Sequence, residues 1–434
     1  MWSGDSNESK KDGDGTSKAM EGQRMRAQHH DSSPDDATCG AGDAKRRTRQ
    51  PPTLCTAFAK TSADALLLIA SSLGWSVLTS ERDDSDVYWV VSELHAQQRL
   101  HKLRAGQTLS RIPGMHGAAR KCSFSRVMTL ASRLFPGQFD FYPQTWTLPD
   151  DMSRMQLALK DWETKSMPRD GKHEWKRNAV IVKPDDGSQG DGIHICTSYE
   201  ELMVRTKAAN GSTHSGDMVV QTYLARPMLL DGFKFDLRVY VLIRSLEPLE
   251  VWVCREGLAR FCTERYRAPT SKNCSQVMGH LTNYSLNKRS QAFVSCKDAA
   301  SIESIYANLD SRDVYEAVPD DHQRESSKKT LTYVLRQLRA EGVDTEMVWR
   351  EITGVVEKTC IVLQPFLKQT TQDWVWSKAG VDESEEVSAL AGSCFHLVGF
   401  DIMLDNMGHC HLLEINCSPR SGVKNVEPLK CLSN

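Results

Sequence analysis

Asp401, Glu414 and Asn416, in "GFDIMLDNMGHCHLLEIN", bring three oxygen-bearing side chains together at strand-like spacing. Phe395 to Leu404 and His409 to Asn416 read as two strands joined by the turn sequence "DNMG". With the turn centred between Met407 and Gly408, Asp401 falls opposite Glu414, and period-two alternation puts Asn416 on the Glu414 face. Two carboxylates this close, flanked by apolar residues, repel each other unless a cation compensates. Hard oxygen donors of this kind suit Mg²⁺, which takes one or two carboxylates and leaves positions for phosphates. The alternative is a solvent-facing polar strand, and a one-residue slip of the turn would break the alignment.

Two further stretches carry matching charge. In "KFDLRVYVLI", Lys234, Asp236 and Arg238 share one strand face while Phe235, Leu237 and Val239 point to a core, and "LARF" brings Arg260 back on the returning strand. A mixed-sign triplet also fits a solvated face, but beside a magnesium site it is suited to polyphosphate and carboxylates. "KPDDGSQGDGI" has its lysine before the glycines and no GK[ST], so it is not a Walker A loop. Lys183 instead ends the strand "NAVIVK" and offers a point charge, while Gly187, Gly190 and Gly192 let a hairpin fold its N–H groups over phosphates.

The elements that must position these residues alternate between helix and strand. "SADALLLIASSLGW" reads as an amphipathic helix, "DVYWVVS" as a strand, and "CSFSRVMTLASRLFP" as a helix stopped by Pro136. "NAVIVKP", "DMVVQTYL" and the long stretch through "VYVLIRSLEPLEVWV" are strand-rich, and "KKTLTYVLRQLRAEG" and "TEMVWREITGVVEKTCIVLQPFLKQ" read as helices. The fold class is therefore α/β or α+β. At 434 residues, with 40% hydrophobic and 25% charged residues, the chain can hold several lobes around sizeable cores. Residues 1–56 are polar, carry the basic cluster "KRRTRQ", and read as a solvated tail or an electrostatic tether.

Composition removes several function classes. A net charge of −2 excludes a globally basic nucleic-acid binder. The 13 cysteines include no CxxC pair, which argues for reduced, structural thiols, and His409 and Cys410 as strand neighbours point to opposite faces, against zinc. The most apolar run, Ala65 to Leu78, falls short of the ~20 residues of a membrane span, and the start has no apolar signal core, so a cytosolic chain is expected. No HRD or DFG stretch supports a protein kinase.

A strand lysine, a glycine loop and an Asp/Glu/Asn hairpin more than 200 residues later, in that order, resemble the ATP-grasp fold, in which lobes clamp ATP with magnesium. The wording resembles the tubulin tyrosine ligase-like family: "PGMHGAARK", "FDFYPQTWTLP", "IVKPDDGSQGDGI", "VVQTYL", "DGFKFDLRVYVLI", "GLARFCTERY", "HLTNYSLNK", "VWREITGVVEKT", "GFDIMLD" and "LLEINCSP" run in family order from about Ala57 to Pro419. "HLTNYS" and "GSQGDGI" resemble the polyglutamylase branch. The resemblance implies a small N-terminal α/β lobe (57–150), a central ATP-grasp lobe (151–260) and a C-terminal lobe with the metal site (261–434). It implies ATP-dependent addition of free L-glutamate to glutamates on tubulin C-terminal tails, through an acyl phosphate, by a monomer of the cytoplasm and cytoskeleton, including cilium, flagellum or basal body.

Residue roles follow from the same resemblance. Lys183, Gln189, Gly190, Lys234, Phe235 and Asp236 match nucleotide positions, with Gln221, Thr222, Tyr223 and Leu224 on the adenine side and Thr282 and Asn283 completing the site. Arg238 would neutralise the transferred phosphoryl group, Arg260, Tyr284 and Ser285 would take the incoming glutamate, and Asp401, Glu414 and Asn416 would hold Mg²⁺. Gln189 resembles members that lengthen glutamate chains rather than start them. After Pro419 the family continues with a further helical stretch, which residues 420–434 match poorly, so part of the amino-acid pocket and of the tubulin-docking surface is expected to be missing. Two other readings remain at this point: an ATP-grasp amino-acid ligase with a non-tubulin acidic acceptor, and a catalytically impaired microtubule-binding relative. Retention of Lys183, Asp401, Glu414 and Asn416 argues against the second.

Overall fold

Alternating apolar residues fold the chain into three sheets with helices between them, a mixed α/β architecture. The computed structural model describes residues 50–166, 179–187, 190–209, 216–294, 324–376 and 392–419. The polar tail up to residue 49, Gln189, and the stretch 420–434 lie outside the described residues. Among the described residues no helix is long and apolar enough to cross a membrane.

The first sheet is parallel, in the order β2-β1-β3-β4, from β1 (Thr53–Phe58), β2 (Ser76–Leu78), β3 (Val87–Val90) and β4 (Thr108–Leu109). Parallel neighbours need crossovers, which α1 (Ala63–Ser72) and α2 (Glu93–Leu100) supply. After α3 (Met115–Ala118) and α4 (Lys121–Leu134) comes an antiparallel sheet, β5-β8-β6-β7, from β5 (Thr145–Leu148), β6 (Val180–Pro184), β7 (His194–Cys196) and β8 (Met218–Thr222). Val180 and Val182 bury one face of β6 against α5 (Met152–Ser166) and α6 (Tyr199–Ala209). Strand alternation therefore turns Ile181 and Lys183 to the other face, beside Gln221, the cross-strand partner of Ile181.

The third sheet runs β12-β11-β10-β13-β14, with β9 (Leu229–Leu230) beside β10. Its strands are β10 (Phe233–Leu246), β11 (Leu249–Phe261), β12 (Lys328–Thr330), β13 (His396–Leu404) and β14 (Cys410–Asn416), so it draws on both sides of residue 260. Phe235, Leu237 and Val239 are buried in the main core, as their alternation predicts, together with Val334 and Leu338 of α8 (Leu331–Ala340) and Val348 and Ile352 of α9 (Thr345–Trp376). One element differs from its sequence reading. Lys328–Thr330 is an edge strand paired with β11, not the first turn of a helix, because Thr330 accepts a hydrogen bond from the Tyr333 N–H and so sets the helix start at Leu331.

The closing hairpin places Asp401 opposite Glu414, as read from the sequence, but by a different route. Leu404 pairs with Cys410, so the turn centres on Met407, with Gly408 in the left-handed region at φ 90°. A β-bulge between Asp401 and Ile402 skips Leu413 and restores the Asp401–Glu414 pairing. Asp405 Oδ1 accepts from the N–H groups of Met407 and His409, and Glu351 of α9 clamps the returning strand. Glu351 accepts from the Cys410 N–H and lies 2.7 Å from His409 Nδ1, while Cys410 is buried.

The hydrogen bond and charge of Glu351 raise the pKa of the His409 imidazole. Folding therefore favours protonated His409, and the pair's contribution is complete below the free imidazole value of ~6.5 and fades as pH rises through the raised folded value. The stability difference between wild type and His409→Gln, from urea unfolding at a series of pH values, should shrink from pH ~6 to ~8; a constant difference would rule the ion pair out.

Candidate active site

The polar faces of the second and third sheets enclose a cavity. It is lined by Lys183, Gln221, Thr222, Tyr223, Leu224, Lys234, Asp236, Arg260, Thr282, Asn283, Asp401 and Glu414, with Ile181, Ile193, Leu281, Met403 and Leu413 as its apolar wall. Twelve of the candidate residues thus meet in one place, from segments far apart in the chain.

Two buried ammonium groups in this wall lack a carboxylate partner among the described residues. Lys183 Nζ donates to Gln221 Oε1 at 2.9 Å, and Gln221 Nε2 in turn donates to Thr145 Oγ1. Lys234, 2% exposed, donates to the Tyr223 hydroxyl at 2.7 Å and lies 4.1 Å from that ring's centroid, which then reaches His280 Nδ1 at 3.1 Å. Burial lowers both lysines, Lys234 to about 8, and lowers His280 to about 4, so the imidazole stays neutral and can accept from Tyr223. The Thr222 hydroxyl is buried without a hydrogen-bond partner among the described residues. Unpaired buried ammoniums and an orphaned hydroxyl beside an apolar wall fit a polyanionic ligand with a planar apolar end.

The acidic side of the cavity is built on adjacent strands. Asp236 pairs in register with Arg260, and Arg238 with Asp401. Asp401, 1% exposed, is held by two guanidiniums, that of Arg238 through Nε and Nη2 and that of Arg260 through Nη2 at 2.8 Å. Arg260 also forks onto Asp236. Burial alone would raise the Asp401 carboxyl, but the charges of Arg238 and Arg260 outweigh it and hold it far below the usual range. Glu414 has no such partner: burial and the neighbouring Asp401 push its carboxyl up. Asn416 Nδ2 donates to Asp401 at 3.0 Å and lies 3.4 Å from Glu414, so the three predicted ligands form one cluster. Among the described residues no group of three or more His, Cys, Asp or Glu side chains could hold a metal. The donor set is two carboxylates and an amide, hard oxygens that fit a small divalent cation completed by ligand oxygens.

The remaining candidates lie outside this wall. Arg238 sits against Asp401, and its stem has room because a Cβ at Gly399 would meet Arg238 Cδ at 2.7 Å. Phe235 points into the core and stacks on Phe261, leaving only its backbone for a ligand. Gly190 and Asn416 line a second, adjoining cleft that shares Glu414 and Asn283 with the first. Gly190 has φ 89°, and a Cβ there would strike Leu286 at 2.6 Å. Tyr284 opens α7 (Tyr284–Asn287), half exposed, with Lys328 Nζ 3.7 Å from its ring centroid, and Ser285 follows it; neither lines the cavity with Arg260. Gln189 is among the residues outside the description.

Sequence reasoning missed three contributors. His280 joins the Lys234–Tyr223 chain, and its only signal was its place in "HLTNYS". Gly399 gives Arg238 its space. Asp185 anchors the start of the glycine loop: it accepts from the Cys122 N–H at the N-terminus of α4 and pairs with Arg120 at 2.6 Å. A carboxylate at a helix N-terminus satisfies a free N–H and complements the helix dipole.

The mixed α/β fold of several sheets around this polar cavity is that of the tubulin-tyrosine ligase family, to which the chain belongs: the family's model matches residues 99–318 and 307–430. It is similar to the tubulin polyglutamylase TTLL11 of Homo sapiens, 33% identical over 392 residues, covering 90% of this chain and 48% of that protein. It is also similar to the tubulin polyglutamylase TTLL6 of Mus musculus (35% identical, 78% of this chain, 34% of the relative) and to ttll-11 of Caenorhabditis elegans (30%, 87% and 47%). The chain spans about half or less of the length of these relatives.

Removing the charge of Asp401 leaves two buried guanidiniums facing each other. Asp401→Asn should lower stability by roughly 3 kcal/mol or more in urea unfolding with an unchanged m-value, and adding Arg238→Met should recover part of the loss. A neutral Asp401→Asn would show that the arginines do not depend on this carboxylate.

Proposed function

We propose that the chain is an ATP-dependent tubulin polyglutamylase that joins free L-glutamate to glutamate residues of tubulin C-terminal tails, working on microtubules in the cytoplasm, cilium, flagellum or basal body. The observation that carries the reading is the meeting, in one cavity, of two buried lysines that lack a carboxylate partner among the described residues with Asp401 and Glu414, to which Asn416 is joined from the adjoining cleft. Membership of the tubulin-tyrosine ligase family and similarity to three proteins named as tubulin polyglutamylases support it.

In this reading Lys183 and Lys234 hold the phosphates of ATP, Gln221 to Leu224 border the adenine, and Thr282 and Asn283 close the site. Asp401, Glu414 and Asn416 hold Mg²⁺. ATP would give its γ-phosphoryl group to the acceptor carboxylate, yielding an acyl phosphate and ADP, and the amine of the incoming glutamate would then displace phosphate and lose a proton as the amide forms. Asp401 bound to a cation would need less neutralisation by Arg238 and Arg260, whose guanidiniums would then have hydrogens to offer to substrate oxygens. Arg238 would face the transferred phosphoryl group and Arg260 would take the carboxylates of the incoming glutamate, while Tyr284 and Ser285, which do not line the cavity, are assigned to that glutamate by the family motif alone. No protein nucleophile is required, because positioning and charge stabilisation lower the barrier.

The test is ATP-dependent incorporation of radiolabelled glutamate into purified microtubules, with glycine and tyrosine as competing donors. Glutamate alone should be incorporated, and Glu414→Gln should fold normally and lose turnover by 100-fold or more, on the order expected for a lost metal ligand. Incorporation of another amino acid, or full activity in Glu414→Gln, would overturn the reading. Arg260→Lys keeps the charge and loses the fork, so it should raise the KM for glutamate about tenfold while moving the KM for ATP much less. Equal KM values for glutamate would remove Arg260 from the pocket.

A further inference from the structure

The second cleft contains a buried cation that the nucleotide site does not use. Arg111 follows β4 in "SRIPGM", is only 4% exposed, and lines both this cleft and a smaller cavity beneath the first sheet. Its two hydrogen bonds both leave from Nη2, to the Val91 carbonyl at 2.6 Å and to Ser418 Oγ at 2.7 Å. Nε is buried with no acceptor among the described residues. No carboxylate lies within ion-pair distance among the described residues; Glu93, which acts on Arg111 from farther off, accepts from the Gly114 N–H. The other cations of the cleft are engaged: Arg120 with the Asp185 carboxylate, and Lys121 with the backbone oxygens of Asp185 and Gly187.

A guanidinium desolvated without a counter-charge is costly, and with both Nη2 hydrogens committed it still has its Nε–H and Nη1 hydrogens to donate to a carboxylate. A strut between Val91 and Ser418 would account for Nη2 and leave Nε unexplained. Ser418 lies two residues beyond Asn416, so Arg111 stands beside the strand end that carries the proposed metal ligands. We propose that Arg111 is a carboxylate subsite for the acceptor, holding one glutamate of an acidic peptide in the second cleft while another is presented at the Glu414 end. This inference rests on the polyglutamylase reading for the identity of the peptide. An acceptor gripped at two carboxylates is held in register, which makes neighbouring glutamates part of what the cleft selects.

The experiment measures binding of a short fluorescent oligoglutamate peptide to the full chain by anisotropy, with Mg²⁺ and a non-hydrolysable ATP analogue present, and the matching oligoglutamine as control. Arg111→Met should weaken the oligoglutamate Kd about tenfold, Arg111→Lys should recover part of it, and nucleotide affinity should not change. Wild-type binding that Arg111→Met leaves intact would overturn the subsite while the acceptor reading stands. A parallel fall in melting temperature, nucleotide affinity and peptide affinity in Arg111→Met would overturn it in favour of a strut. A wild-type protein that binds the nucleotide analogue and no oligoglutamate would overturn both the subsite and the polyglutamylase reading.

Discussion

Asp401 is almost wholly removed from water, next to a second carboxylate and within reach of two guanidiniums. Charges in such a place must be balanced locally, and the balance dictates much of the surrounding design. β10 lies between β11 and β13 so that Asp236 is level with Arg260 and Arg238 with Asp401, and the opposite face of β10 is kept apolar so that the strand can be buried there. The glycine at 399 yields the space that the Arg238 stem occupies.

The cavity is consequently divided by sign. Its lysine side has cations without anions, and its hairpin side has an acid, Glu414, that its neighbours fail to neutralise. A ligand carrying both phosphates and a divalent cation would satisfy the two sides together, whereas phosphate or metal alone would leave one of them uncompensated. Cooperative uptake of the two is the natural electrostatic outcome.

The legible parts of this arrangement were those governed by short-range periodicity. Period-two alternation sorted Lys234, Asp236 and Arg238 from Phe235, Leu237 and Val239 without further information. The hairpin pairing was also readable, although the turn centre was half a residue away and the bulge compensated. The less legible parts depend on neighbours distant in sequence. Nothing local marks Asp185 as a cap for α4, His280 as the end of a hydrogen-bond chain, or Lys328 as an edge strand. Tyr284 and Ser285 followed a family motif, and motifs convey identity without fixing where a side chain points.

The bulge at Leu413 has a consequence for how this hairpin tolerates change. At the end that carries Asp401 and Glu414, register is fixed by the pairing of β13 with β10, in which Arg238 faces Asp401. On the other side it is fixed by the Asp405 turn. The unpaired residue between them lets one end of the hairpin slip without carrying the other along. An insertion or deletion around Met407, where the chain is exposed, is thereby absorbed as loop length, and the acids keep their places.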